Sequence, residues 1–327
     1  YLGGGTPSLW PAERLLELLP AGAAGGDVEV TVEANPGDVD AGWYAALVEG
    51  GATRFSVGVQ ALDGERLDFL GRRHTVDEAL AAIRAARAAG AASVSADVIY
   101  GTPGQEPAAL ARELERLVDE GVDHVSAYEL TVARGTELAS RVARRKVALP
   151  GSDEMVDLWR AAGEVLGRHG LERYEVSSLA RPGHRCRHNE LYWRGDEYMG
   201  LGAGAHGFLL AGGAAHRWAN DADPGAYAEG VHVAEGVEPY RAIGQRVLEE
   251  TLDPVERARE RIMLGLRRTD GLDLAGVLWE LPPDLAARWR AIAHGLDEMG
   301  LARYAGGRLA PTADGILQAD GLAERFF

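Results

Sequence analysis

Four times within the first 130 residues one pattern recurs: a short apolar run, a turn, and an Ala/Leu-rich stretch of helical period. A chain built this way has few options, because strands joined by helices of that length must pair in parallel and cover the sheet with the helices. The pattern predicts strands over residues 28–33, 54–59, 93–99 and 124–130, with a remnant at 1–2 and a weaker strand at 172–176. Helices are expected over 11–19, 41–49, 76–89, 107–120 and 153–169; Pro11 suits a first helical turn and Gly90 a helix stop. The start, Tyr-Leu-Gly-Gly-Gly, reads as the end of a strand that began earlier, so the sequence is expected to be a fragment lacking its N-terminus.

Near residue 180 the style changes. Residues 181–240 are rich in Gly, His, Arg, Trp and Tyr and show little helical periodicity, as expected of a strand-and-loop region or an extended connection. Helical period returns over 255–266 and 283–299, and residues 301–310 read as a hairpin turning at Gly306-Gly307. Two helices and a hairpin suggest a winged-helix-like module. The expected division is 1–180, 181–250 and 251–327, an α/β domain followed by a smaller α+β one. Winged helices often bind DNA, but Glu280, Asp284, Asp297 and Glu298 argue against it here.

Charge and composition exclude further classes. With 34 basic and 50 acidic residues the net charge is −16, which removes the usual drive toward nucleic acid or anionic membranes. No apolar run reaches the roughly 18 residues of a spanning helix, and no signal peptide is legible, so a cytoplasmic protein is expected. Cys186 is the one cysteine, so a disulfide framework or a multi-thiolate metal site cannot be built from these residues.

In a parallel βα sheet the C-terminal ends of the strands carry the chemistry. Here they carry Gly3-Gly4-Gly5-Thr6-Pro7, Glu33-Ala34-Asn35-Pro36, Gly58-Val59-Gln60, Asp97 with Tyr100-Gly101-Thr102-Pro103, and Tyr128-Glu129-Leu130. Acids, an amide and a glycine turn thus converge on one rim, where three glycines leave backbone groups open to a ligand. Neither a dinucleotide fingerprint nor a P-loop is present, and Lys146 is the only lysine.

Six segments in order carry a resemblance: Gly3-Gly4-Gly5-Thr6-Pro7-Ser8, Glu33-Ala34-Asn35-Pro36-Gly37, Ser56-Val57-Gly58-Val59-Gln60, Gly71-Arg72-Arg73-His74, Asp97 through Gln105, and His188-Asn189-Glu190-Leu191-Tyr192-Trp193. Together they resemble the radical S-adenosylmethionine (SAM) proteins of the coproporphyrinogen III dehydrogenase family, and within it the HemW-type heme chaperones. The resemblance implies a partial (β/α)6 barrel with SAM across the strand ends, contacted by Gly4, Gly5, Thr6, Glu33, Gln60, Arg72 and Asp97. It also implies a [4Fe-4S] cluster on a CxxxCxxC loop upstream of the glycine strand. No such triad occurs in these residues, so this span is expected not to ligate the cluster and to be inert in radical initiation.

Residues 181–189 supply two imidazoles, a thiol and several guanidiniums, followed by Tyr192 and Trp193. Heme needs an axial ligand and cations for its propionates, so His188, Cys186 and His184 are candidate ligands, with Tyr192 and Trp193 for the porphyrin face. The bland alternative is a basic loop paired with an acidic protein body. The glycine loop at 200–207 either closes over a ligand or makes a tight turn around His206.

By resemblance, the expected function is to bind heme and transfer it to an apo-protein, with SAM and the cluster governing competence. Any membrane contact is expected to be weak and to run through a partner. Alternatives are an oxygen-independent coproporphyrinogen III dehydrogenase, which would make the chain an enzyme, and a SAM-binding module without radical chemistry.

Overall fold

The computed structural model describes residues 1–19, 27–230 and 246–327. It divides into two compact units, Tyr1–Cys186 and Arg187–Phe327. The middle segment expected at 181–250 is therefore not a body of its own: it splits inside the His/Arg run, and residues 231–245 lie outside the described residues.

The first unit is built as the βα pattern requires. Its elements are α1 (Ala12–Leu16), β1 (Thr31–Ala34), α2 (Ala41–Glu49), β2 (Arg54–Gln60), α3 (Gly64–Phe69), α4 (Val76–Ala88), β3 (Ser93–Tyr100), α5 (Pro107–Asp119), β4 (His124–Glu129), α6 (Glu137–Ala143), α7 (Ser152–Arg168), β5 (Glu172–Arg173) and β6 (Ser178–Ala180). Helix starts are chemically marked. Thr75 and Glu78 form a reciprocal capping box on α4, and Asp40 and Asp63 accept backbone N–H groups at the starts of α2 and α3.

Strands β1 to β4 are parallel and adjacent, and Leu2 extends the sheet as a parallel bridge to Val32. The sheet then departs from the sequence reading. The weak strand expected at 172–176 is an antiparallel hairpin, β5 and β6, with β6 antiparallel to β4. Trp159 fastens its turn by donating to Val176 O at 2.9 Å, and Arg173 donates to the same carbonyl at 2.7 Å while lying over the Trp159 ring.

Strand alternation sorts the sheet into two faces. Phe55 meets Tyr44 of α2 edge-on at 5.0 Å, so its face is the one the helices cover; Val32, Val57, Val94, Ala96 and Val125 accompany it, all buried. Phe55 and each valine contribute about 1.5–3 kcal/mol on leaving water. The other face carries polar side chains at matching levels: Glu33 pairs with Ser56, Ser56 with Ser95, and Asp97 with Ser126.

The second unit opens with α8 (Arg187–Arg194), a helix where the sequence showed no apolar stripe. The antiparallel sheet β7 (His206–Ala211), β8 (Ala214–Asn220) and β9 (Arg246–Leu252) follows, with α9 (Pro224–Gly230) after β8. The 200–207 glycines are turn and packing residues. Asn220 Nδ2 donates to the carbonyls of Gly200 and Gly202, and a Cβ at Gly207 would run into the Trp218 ring. Gly207→Ala should therefore cost about 1–3 kcal/mol by overpacking; denaturant titration checks this, and an unchanged midpoint would mean that the ring gives way.

The remainder is α10 (Pro254–Gly265), β10 (Leu272–Asp273), α11 (Leu274–Trp279), α12 (Pro283–Glu298), β11 (Ala302–Ala305), β12 (Arg308–Pro311), α13 (Ala313–Ile316) and α14 (Ala319–Glu324). Helices α10, α11 and α12 with a small sheet in the order β10-β12-β11 form the expected winged-helix-like module, which α13 and α14 follow. Its core joins Ile262, Leu266, Leu274, Trp289, Leu296 and Phe326. Among the described residues no helix is long and apolar enough to cross a membrane.

Candidate functional site

The polar face of the first sheet gathers the strand-end residues singled out from the sequence. Gly4 N–H donates to Glu33 Oε2 at 3.2 Å, and Tyr1 OH donates to Glu33 Oε1 at 2.5 Å. A Cβ at Gly3 would fall on the Tyr1 ring and 2.6 Å from the Glu33 carboxyl carbon, so both side chains would have to shift. The glycine turn after Leu2 and the carboxylate of β1 thus form one rim element.

Asp97 lies on the same face, close enough to Glu33 for their charges to interact. Burial pushes its carboxyl up to about 6, against hydrogen bonds from Ser56 and Ser126 that pull it down; the Ser56 hydroxyl donates to Oδ2 at 2.9 Å. A carboxylate held this way accepts well from ribose hydroxyls or an amino group.

Gln60 ends β2 in the left-handed region at φ 64°, after a register shift against β3. A non-glycine residue there costs of order 1–3 kcal/mol and marks a side chain aimed by strain. Gly58 makes room for it: a Cβ at 58 would lie 3.0 Å from Gln60 Nε2 and 3.1 Å from Asn35 Oδ1. Arg72 follows α3, and its buried Nε finds no hydrogen-bond partner among the described residues. The buried Thr102 hydroxyl, beyond β3, is likewise unpartnered. Thr6 precedes a short 3-10 turn at Pro7–Leu9 without capping it. Gly4 is thus hydrogen-bonded to Glu33, whose charge acts on Asp97.

Residues that the sequence reading did not assign as contacts complete the face. Ser56 and Ser126 hold Asp97. Arg54, buried at the start of β2, donates to Ser93 Oγ at 3.0 Å and to His184 O at 2.9 Å. His124 is fully buried between Ser95 Oγ at 2.7 Å and Tyr174 OH at 2.9 Å, and burial lowers its pKa so that the ring is neutral. Polar residues every second position, as in Ser93, Ser95 and Asp97, were the available signal.

The candidate heme ligands separate. His184 has its carbonyl held by Arg54 and its Nδ1 3.9 Å from Asp123 Oδ2. Cys186 is 3% exposed, its N–H donates to Tyr174 OH at 3.3 Å, and its sulfur faces Glu29 Oε1 at 3.8 Å. Both belong to the first unit, beside the N-terminal ends of its strands. His188, Tyr192 and Trp193 belong to α8 of the second unit. There His188 meets Tyr192 one turn on, edge-on at 4.7 Å, and Tyr192 meets Tyr198 at 4.4 Å. Desolvation pulls the His188 imidazole down to about 4, so it is neutral at neutral pH.

The glycine turn, a partly buried acid and unpartnered donors suit a zwitterionic nucleoside such as SAM. The same residues do not suit an iron-sulfur cluster. One thiol is present, it is buried, and no group of three or more His, Cys, Asp or Glu among the described residues is placed to hold a metal.

Comparison with known proteins agrees with this division. Residues 1–117 match the radical SAM superfamily and residues 252–317 the HemN C-terminal domain. The chain is 38% identical to the heme chaperone HemW of Mycobacterium tuberculosis over 98% of its own length and 78% of that protein's. It is 33% identical to heme chaperone HemW of Lactococcus lactis, over 83% of this chain and 69% of that one. In structure it is similar to the coproporphyrinogen III oxidase HemN of Escherichia coli, described as a radical SAM enzyme, with a TM-score of 0.76, 22% identity, and 99% and 76% of the two chains covered. That likeness carries the fold. With a match to the radical SAM superfamily over residues 1–117, a HemN-type C-terminal module, and 38% identity over nearly its whole length, the chain belongs to the HemW family of the radical SAM superfamily.

Proposed function

We propose that this chain binds SAM across the strand ends of its first unit and heme through α8, and passes heme to an apo-protein. The SAM contacts are Gly4, Gly5, Thr6, Glu33, Gln60, Arg72 and Asp97. Heme ligation falls to His188, with Tyr192 and Trp193 against the porphyrin. A cytoplasmic location belongs to the same proposal. The observation that carries it is the neutral, half-buried imidazole of His188 set edge-on against Tyr192, in a chain whose relatives are named heme chaperones. A neutral ring nitrogen is what iron takes.

When bound, SAM supplies a sulfonium open to reductive cleavage, and the superfamily's [4Fe-4S] cluster supplies the electron. This span holds no ligand set for that cluster, so its own residues bind and orient. Glu33 accepts from an amino group, Asp97 from ribose hydroxyls, and Arg72 offers a guanidinium N–H to a carboxylate. The dehydrogenase alternative has the fold in its favour, but the relatives aligned along most of this chain carry the chaperone name.

Hemin titration followed by the Soret band tests the proposal on wild type, His188→Ala and Cys186→Ala. His188→Ala should shift the Soret maximum and weaken binding by about tenfold or more, since losing even a partner of a metal ligand costs about 10–100-fold. Cys186→Ala should leave the spectrum unchanged, because its sulfur is buried. Identical spectra and affinities for all three proteins would remove α8 as the ligand source, and absence of hemin binding would leave the SAM-module alternative.

A further inference from the structure

A cavity of about 200 Å³ in the second unit is lined by four guanidiniums, those of Arg194, Arg261, Arg268 and Arg308, together with the Trp193 indole. Asp273 is the one carboxylate on its wall, and its oxygen already caps α11 by accepting the Gly276 N–H at 3.1 Å. Each arginine is anchored at one edge. Arg194 Nη2 lies 3.3 Å from Glu190, Arg261 donates to Glu280 at 3.0 Å, Arg268 donates to Asp270 at 2.7 Å, and Arg308 Nε donates to Asp270 O at 2.6 Å. A guanidinium has five N–H donors, so these anchors fix the side chains without exhausting them.

Two observations point to a missing acceptor. Trp193 Nε1, which can only donate, is buried and has no partner among the described residues. Arg268, with its side chain only 12% exposed, has its pKa lowered by burial and by Arg194 and Arg308, and the opposing pull of Asp270 and Glu190 does not restore it. Cations crowded this way favour an anion among them. Drug-sized sites run from about 300 Å³ upward, so this cavity fits a charged group rather than a whole large ligand.

We infer that the cavity lined by Trp193, Arg268 and Arg308 is a binding site for a small doubly charged oxyanion, either free phosphate or the paired carboxylates of a porphyrin. The porphyrin source rests on the heme proposal above; the phosphate source does not.

Inorganic phosphate is the first probe, titrated calorimetrically into wild type, Arg268→Gln, Arg308→Gln and Trp193→Phe, with thermal melts confirming that each variant folds. Hemin and hemin dimethyl ester, whose propionates are uncharged, are the second pair of probes. The site predicts that removing either arginine weakens oxyanion binding by about tenfold or more, as loss of a charge-assisted bond does, with a smaller loss in Trp193→Phe. Saturable, arginine-dependent phosphate binding with no discrimination between hemin and its ester supports a free-anion site. Hemin binding about tenfold tighter than its ester in wild type, with that discrimination lost in Arg268→Gln, supports the propionates. Phosphate binding without any hemin binding supports the site while the heme proposal falls. No saturable phosphate binding together with no ester discrimination overturns the inference, as does binding that both arginine variants retain in full.

Discussion

Asp97→Asn should stabilise the first unit near neutral pH while weakening its hold on SAM. The Asp97 carboxyl titrates at about 6 in the fold against an ordinary 3.8. Between about pH 4 and pH 6 the unfolded chain has lost a proton that the folded chain keeps. Fewer protons bound to the unfolded state means that stability falls as pH rises through that window, and it stays lower above it. At about 1.36 kcal/mol per unit, the ionised carboxyl costs the fold about 2–3 kcal/mol near neutrality. Asparagine keeps the shape and the bonds to Ser56 and Ser126 without the charge. Urea titrations at about pH 4.5 and about pH 7.5 should therefore show the variant's gain concentrated at the higher pH. An equal gain at both would assign the effect elsewhere. Calorimetry should show SAM binding about tenfold weaker or more; unchanged affinity would remove Asp97 from the contacts.

The second large effect lies in the C-terminal module. Trp289 is 1% exposed, packed edge-on against Phe326 at 5.8 Å, in the same core cluster as Ile262, Leu266 and Leu296. Trp289→Ala should remove about 3–5 kcal/mol, a large share of the 5–15 kcal/mol typical of a domain. Hydrogen exchange resolves where the loss falls. Amides of α10 and α12 should lose protection while those of β2 to β4 keep theirs. Equal loss in both sets would mean that the units unfold as one, and full protection in α12 would contradict the packing described.

Much of this architecture was readable before any coordinates, because the signals were local. The helix expected over 41–49 is Ala41–Glu49, started by the Asp40 cap, and that over 107–120 is Pro107–Asp119, set by apolar period and Pro107 in its first turn. Glu33 and Asp97 were legible as acids inside apolar strands. The misses were non-local. Nothing near residue 172 announces an antiparallel return, which depends on Trp159 gripping a carbonyl seventeen positions away. Helix α8 buries no residue completely and carries no apolar stripe; its ring contacts come from a His and a Tyr one turn apart. Ser56 and Ser126 look like ordinary strand residues until parallel register sets them about Asp97. The run from His184 to His188 looked like one ligand cluster, yet Arg54 and Asp123 claim its first part for the sheet.

The placement of Cys186 has a practical corollary. The 327 residues contain one thiol, and the fold encloses it beside Tyr174 and Glu29. An enclosed thiol reacts slowly with alkylating reagents. A cysteine introduced on an exposed helix of this span would therefore be its only fast-reacting handle, so spin labels or fluorophores could be attached one at a time without first engineering the native residue away.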